Sequence, residues 1–209
     1  MILIFAALNI SARGQDFTNL NFESAYNLPG NPENGESVPV TNAIPGWAAY
    51  GSDGDVALVN IYYVSNNISG FATEVELEGG SLALNGNNLS VGLFNGGSVS
   101  QTGLVPNDAE YLQFEANSPL NMELILGGQS LSYSDVSEGS DYNVYSANIP
   151  MDMDGQMETV TFFMQDSGNT ELDDIEFSSS PVPEPSEYAL MGLGGIVFGV
   201  YRRFNQTPC

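Results

Sequence analysis

Apolar side chains recur at every second position through most of this chain, and no interior stretch keeps a helical period. Such alternation places one set of side chains on a buried sheet face and the next set on the opposite face. Phe71, Thr73, Val75 and Leu77 share one face, with Ala72, Glu74, Glu76 and Glu78 on the other. Leu112, Phe114 and Ala116 alternate with Tyr111, Gln113 and Glu115; Leu120, Met122, Leu124 and Leu126 with Asn121, Glu123 and Ile125; Val160, Phe162 and Met164 with Thr161, Phe163 and Gln165. Turn residues punctuate the runs at Gly79-Gly80, Asn85-Gly86-Asn87, Asn95-Gly96-Gly97, Pro106-Asn107-Asp108 and Gly127-Gly128. Residues 15–178 therefore read as one all-β domain, a β-sandwich or jelly roll of about eight short antiparallel strands.

The charge pattern excludes whole classes of function. The only basic residues are Arg13, Arg202 and Arg203, against 26 carboxylates, for a net charge of −23. Residues 16–177 carry no cationic side chain, so the domain repels phosphate backbones and is no nucleic-acid binder. Its carboxylates have no salt-bridge partners; each is solvated, hydrogen-bonded or bound to a cation. With no His or Lys there is no Ser-His-Asp triad, no Cys-His pair, no Schiff-base lysine, no Walker loop and no histidine zinc site. A carboxylate pair of the glycoside-hydrolysis kind is the enzymatic option left. So acidic a domain offers such pairs by chance, and the reading is non-enzymatic. The single Cys209 is the last residue and says nothing about compartment.

The two ends differ from the middle. Residues 1–14 open with the apolar run Met1 to Leu8 and close on Ala12-Arg13-Gly14, the small-residue pattern of a signal peptide cut before Gln15. The basic start of such a peptide is missing, and a first buried strand is the alternative. Residues 179–187 form a linker rich in Pro and Ser, which suits neither a helix interior nor a central strand. Residues 188–209 begin with an uncharged stretch, 188–201, followed at once by Arg202-Arg203. At about 1.5 Å per residue that stretch spans roughly 21 Å, short of the roughly 30 Å hydrocarbon core. It reads as a marginal single transmembrane helix with its arginines on the cytoplasmic side, rather than as the last helix of a soluble fold.

Val182-Pro183-Glu184-Pro185, the apolar stretch and Arg202-Arg203 together resemble the PEP-CTERM sorting signal of exopolysaccharide-producing bacteria. The resemblance covers the last thirty or so residues. It implies that an exosortase recognises Pro183, Glu184 and Pro185, that Arg202 and Arg203 close the signal, and that the protein belongs to the envelope or extracellular matrix. Phe204 to Cys209 extend past the usual ending.

The domain more loosely resembles galactose-binding-like jelly rolls, which include many carbohydrate-binding modules. The residues concerned are Asn19-Leu20-Asn21-Phe22-Glu23, Ile44-Pro45-Gly46-Trp47, Gly97 to Thr102 with Leu112-Gln113-Phe114, and Leu172-Asp173-Asp174-Ile175-Glu176-Phe177. That resemblance implies a structural calcium tying the first strand to the last, with Glu23 and Asp173, and less readily Asp174, as ligands. Alternation puts Asp173 on the face of Ile175 and Phe177, the expected core face. A carboxylate there needs a partner, and a hard cation or backbone amides would supply one. Asp152-Met153-Asp154-Gly155 and Ser52-Asp53-Gly54-Asp55 read as ordinary loops.

Sugar binding needs exposed aromatic rings. Tyr50, Tyr62, Tyr63, Tyr111, Tyr133, Tyr142 and Tyr145 are candidates, whereas Trp47 after Pro45-Gly46 reads as a core plug. The leading expectation is an exported, non-enzymatic surface or matrix protein. A glycan-binding module is the second, and a carboxylate-based glycan-active enzyme the third.

Overall fold

The computed structural model describes residues 15–28, 36–55, 58–62, 74–80, 83–84, 89–139, 141–165 and 168–180. The expected signal segment 1–14, the expected sorting motif and the apolar stretch 188–201 lie outside the described residues, as do Phe71 and Thr73 of the first expected strand. No helix among the described residues is long and apolar enough to cross a membrane.

The strands, in chain order, are β1 (Glu36–Pro39), β2 (Ala48–Gly51), β3 (Gly54–Asp55), β4 (Leu58–Tyr62), β5 (Val75–Gly79), β6 (Leu89–Phe94) and β7 (Ser98–Leu104). They continue with β8 (Tyr111–Ala116), β9 (Met122–Leu126), β10 (Gln129–Leu131), β11 (Tyr133–Glu138), β12 (Asn143–Asn148), β13 (Met157–Met164) and β14 (Asn169–Ser178). A short helix, Val40–Ala43, and a 3-10 turn, Met151–Met153, interrupt them. An eight-stranded sheet runs β1-β4-β5-β6-β14-β8-β12-β11, and a six-stranded sheet runs β10-β9-β13-β7-β2-β3. The chain changes sheet at each step from β6 to β9 and again from β12 to β14. Strands that follow one another in sequence therefore face each other across the core, and the all-β sandwich expected from alternation is the observed architecture.

The strand count departs from expectation: fourteen segments among the described residues, not about eight. Tight hairpins split what periodicity alone cannot divide. Leu126 pairs Gln129 across Gly127 and Gly128, whose φ angles of 58° and 78° are those a two-residue type I′ loop demands. One pair is parallel, β4 with β5. Residues 63–74 join them, about the length a parallel crossover requires. Leu120 falls outside its expected strand and is 92% exposed, because Met122 N–H donates to Pro119 O and turns the chain just before β9.

The core is built as the alternation implies. Val75, Leu77, Val91, Leu93, Leu112, Phe114 and Leu172 from the larger sheet meet Val99, Leu124, Leu126, Val160, Phe162 and Met164 from the smaller one, all fully buried. Each is worth about 1.5–3 kcal/mol of transfer free energy. Phe114 and Phe162 meet edge to face across the layer at 5.3 Å, and Trp47 lies 6.5 Å from Phe162. Trp47 is the core plug it was expected to be: 4% exposed, against Phe22, with its indole N–H on Asn19 O at 3.0 Å. The N-terminal segment straps the sandwich end, since Gln101 Nε2 donates to Thr18 O and Ile175 N–H to Leu20 O.

Candidate functional site

The outer face of the eight-stranded sheet is where the chemistry gathers. Register sets it out: Glu76 pairs Gly92, Gly92 pairs Glu171, Glu78 pairs Ser90, and Asp173 pairs Glu115. Alternation correctly put Glu76 and Glu78 off the core face. It did not show that the face is covered. Glu76 is 1% exposed, Glu78 6%, Glu115 9% and Asp173 0%.

Buried carboxyls without cations must share protons or find other donors. Glu78 and Glu171 do this with each other. The Glu78 carboxyl donates to the Glu171 carboxylate; burial first, then the charge of Glu171, its hydrogen bond and the charge of Glu76 push Glu78 up to about 9. Glu171 is itself raised by burial, while hydrogen bonds from Glu78 and Asn117 pull the other way. Asn117 anchors the strand at this point, its Oδ1 accepting from Glu171 N–H at 3.0 Å. Gly92 makes the pairing sterically feasible. A Cβ there would stand 2.6 Å from Glu78 Oε1 and 2.8 Å from the Phe94 ring, so only glycine lets Glu78 lean across β6. A glycine inside a strand marks such close approach, and that was the available sequence signal for this pair.

A second feature lies on the same face, over β14. The β14–β8 register shifts between Asp173 and Glu176, with Asp174 at φ 41° in the left-handed region. This bulge corrects the expected position of Asp173. Leu172 is on the core face before the bulge, and Ile175 and Phe177 return to it after the extra residue. Asp173 therefore stands with Glu115 and Glu171 on the outer face. The same bulge borders a hollow of about 460 Å³ lined by Gln113, Glu115, Val144, Asp174, Ile175 and Glu176. Burial, then the charges of Glu115 and Asp174, raise the phenol of nearby Tyr142.

The expected calcium ligands lie on two elements, the N-terminal turn and β14. Glu23 sits in the N-terminal turn and its Oε1 accepts from Leu89 N–H at 2.9 Å, at the start of β6. Asp173 is buried and its Oδ1 accepts from Asp174 N–H at 2.8 Å, while Asp174 is exposed. Among the described residues no group of three or more acidic side chains is arranged to hold a metal. Asp152 lies in the 3-10 turn and Ser52 and Asp53 in the β2–β3 turn, the loops expected of both segments.

Of the aromatic candidates, Tyr50 is 39% exposed. Tyr133 is half-buried; its hydroxyl donates to Pro119 O or Met122 O, and burial with the neighbouring Tyr145 raises it to about 12. Tyr145 stacks on Phe114 at 5.5 Å, and Tyr111 and Tyr142 are half-covered. The side chains of Tyr62 and Tyr63 lie outside the described residues, as do Pro183, Glu184, Pro185, Arg202 and Arg203. Tyr26, 49% exposed, went unnoticed in the sequence because it sits in no alternating run.

No protein-family model matches the sequence, and no curated protein does. Among solved structures the chain is similar to the family 11 carbohydrate-binding module of a cellulosomal cellulase of Clostridium thermocellum. The two are 13% identical at a TM-score of 0.32, over 68% of this chain and 92% of that one.

Proposed function

We propose that this chain is an exported, non-enzymatic surface or matrix protein whose C-terminal tail sorts it through an exosortase, in association with envelope or exopolysaccharide. One observation carries the reading: Pro183-Glu184-Pro185, an uncharged stretch at 188–201 and Arg202-Arg203 occur in that order at the end of an acidic chain. The stretch is too short for a comfortable permanent span, which suits a transient membrane hold before processing. Deleting 183–203 tests it in the native host. Fractionation should then find the protein released or retained at the inner membrane, whereas unchanged surface retention would refute sorting by the tail.

Glycan binding is the second reading, favoured by the outer face of the six-stranded sheet. Tyr50, Ser98, Phe163 and Glu123 form one cross-strand row there, and Ala48, Ser100, Thr161 and Ile125 the next. The exposed Tyr50 ring near the half-buried hydroxyls of Ser100 and Thr161 is the chemistry on which a sugar stacks and hydrogen-bonds. A glycan array with the full chain and with Tyr50→Ala would support it by binding that the variant loses. Binding to no glycan would remove it.

A further inference from the structure

We propose that Gln15 is a modification site: after a cut in front of it, its side-chain amide closes on the new α-amine to form an N-terminal lactam, pyroglutamate. This rests on the exported reading above, through the cut after Ala12-Arg13-Gly14. The step is internal and needs no co-reactant. The neutral α-amine attacks the side-chain carbonyl carbon Cδ, and an N–Cδ bond forms. The Cδ–Nε2 bond breaks, and ammonia leaves with the proton that the amine gives up. A glutamine side chain has the length that closes an unstrained five-membered ring.

The structural support is where the fold takes hold of the chain. Leu104 N–H donates to Gln15 O at 2.8 Å, and Asp16 forms a parallel bridge with Leu104 at the end of β7. Phe17 stacks on Phe177 at 4.8 Å and lies over Gly103, where a Cβ would stand 2.6 Å from its ring. Thr18 N–H donates to Gln101 Oε1 at 2.6 Å. The residue expected at the cut is therefore itself tied to the sheet, while its side chain is exposed. The ring is built from the α-nitrogen and that side chain. The Gln15 carbonyl stays outside the ring and keeps its bond to Leu104. Ring closure also fixes φ as proline does, which removes conformational freedom from the free end of the strap. Charge gives the closure a consequence. Residues 16–177 carry no cationic side chain, so an open α-ammonium at Gln15 would be the positive charge of the domain, and closure removes it. It also leaves an amide where an aminopeptidase needs an amine.

Peptide mass spectrometry of the protein exported by its native host, with Edman degradation of the same sample, tests the proposal. The N-terminal peptide should begin at Gln15 and be lighter by one ammonia than its sequence requires. It should release no residue to Edman degradation until a pyroglutamyl peptidase has removed the first. Gln15→Ser keeps a small polar residue after the cut and cannot close the ring. That variant should be cut at the same bond, show its full mass and sequence directly. A wild-type peptide that begins at Gln15 and keeps its ammonia, even after prolonged incubation at about pH 8, where an ordinary α-amine is largely neutral, would overturn the lactam and leave the export reading standing. A chain that starts at another residue would overturn the lactam together with the cut on which it rests. Equal blockage in Gln15→Ser would trace the block to other chemistry and would also overturn it.

Discussion

Glu78 occupies a sheet with no cation to pair it, and it stays protonated instead. Its carboxyl, ordinarily at 4.5, is pushed up to about 9 by burial and by Glu171 and Glu76. The folded state thus binds a proton more tightly than the unfolded chain does. The stabilisation is complete below the unfolded value of 4.5 and is lost as pH rises from there through about 9. Melting followed by circular dichroism should therefore show the midpoint falling as pH is raised from 5 to 9, with a shallower fall in Glu78→Gln. A wild-type midpoint that climbs over that range would contradict the shared proton. The periodicity of β5 showed which face Glu78 takes. It could not show that the face is covered, because cover comes from residues distant in sequence, here Phe94 and the Glu171 strand.

At the scale of the element, β14 is the instructive case. Its alternation from Leu172 to Phe177 reads as an unbroken strand, and reading it so puts Asp173 into the core. The one-residue bulge reverses that assignment, just as a one-residue slip reverses any strand. No residue here announces the bulge as a glycine would; Asp tolerates the left-handed region well enough to leave no mark. The backbone at Asp174, φ 41°, makes the argument testable. Asp174→Gly should be neutral or slightly stabilising in chemical denaturation, since glycine adopts that conformation freely. Asp174→Val should cost about 1–2 kcal/mol. Equal stability of the two variants would mean that the bulge does not constrain the strand. Where alternation met no bulge, in β9 and along β13 from Val160, buried and half-buried positions alternate as read, whereas β8 is buried on both faces from Leu112 to Ala116; the sandwich was therefore legible while the shape of its acidic face was not.

At the scale of the molecule, charge is the dominant feature. Twenty-six carboxylates against three arginines leave a net −23, and none of the arginines lies among residues 16–177. Such a domain repels itself, and self-repulsion opposes the compact state. Monovalent salt should therefore raise the melting midpoint steeply at first. The rise should level off once the screening length, about 10 Å at 0.1 M, falls to the spacing of neighbouring acids. Calcium separates two effects. Calcium ligation by Glu23 and Asp173, which the sequence resemblance implies, would raise the midpoint at millimolar calcium, where the ionic strength added is small, and Asp173→Asn would remove that increment while leaving the sodium chloride response intact. A response to calcium no larger than that to sodium chloride of equal ionic strength would leave only screening. A midpoint indifferent to both salts would mean that shared protons and backbone amides, as at Glu78 and Asp173, already neutralise the strain. The acidic face would then be a self-contained part of the fold.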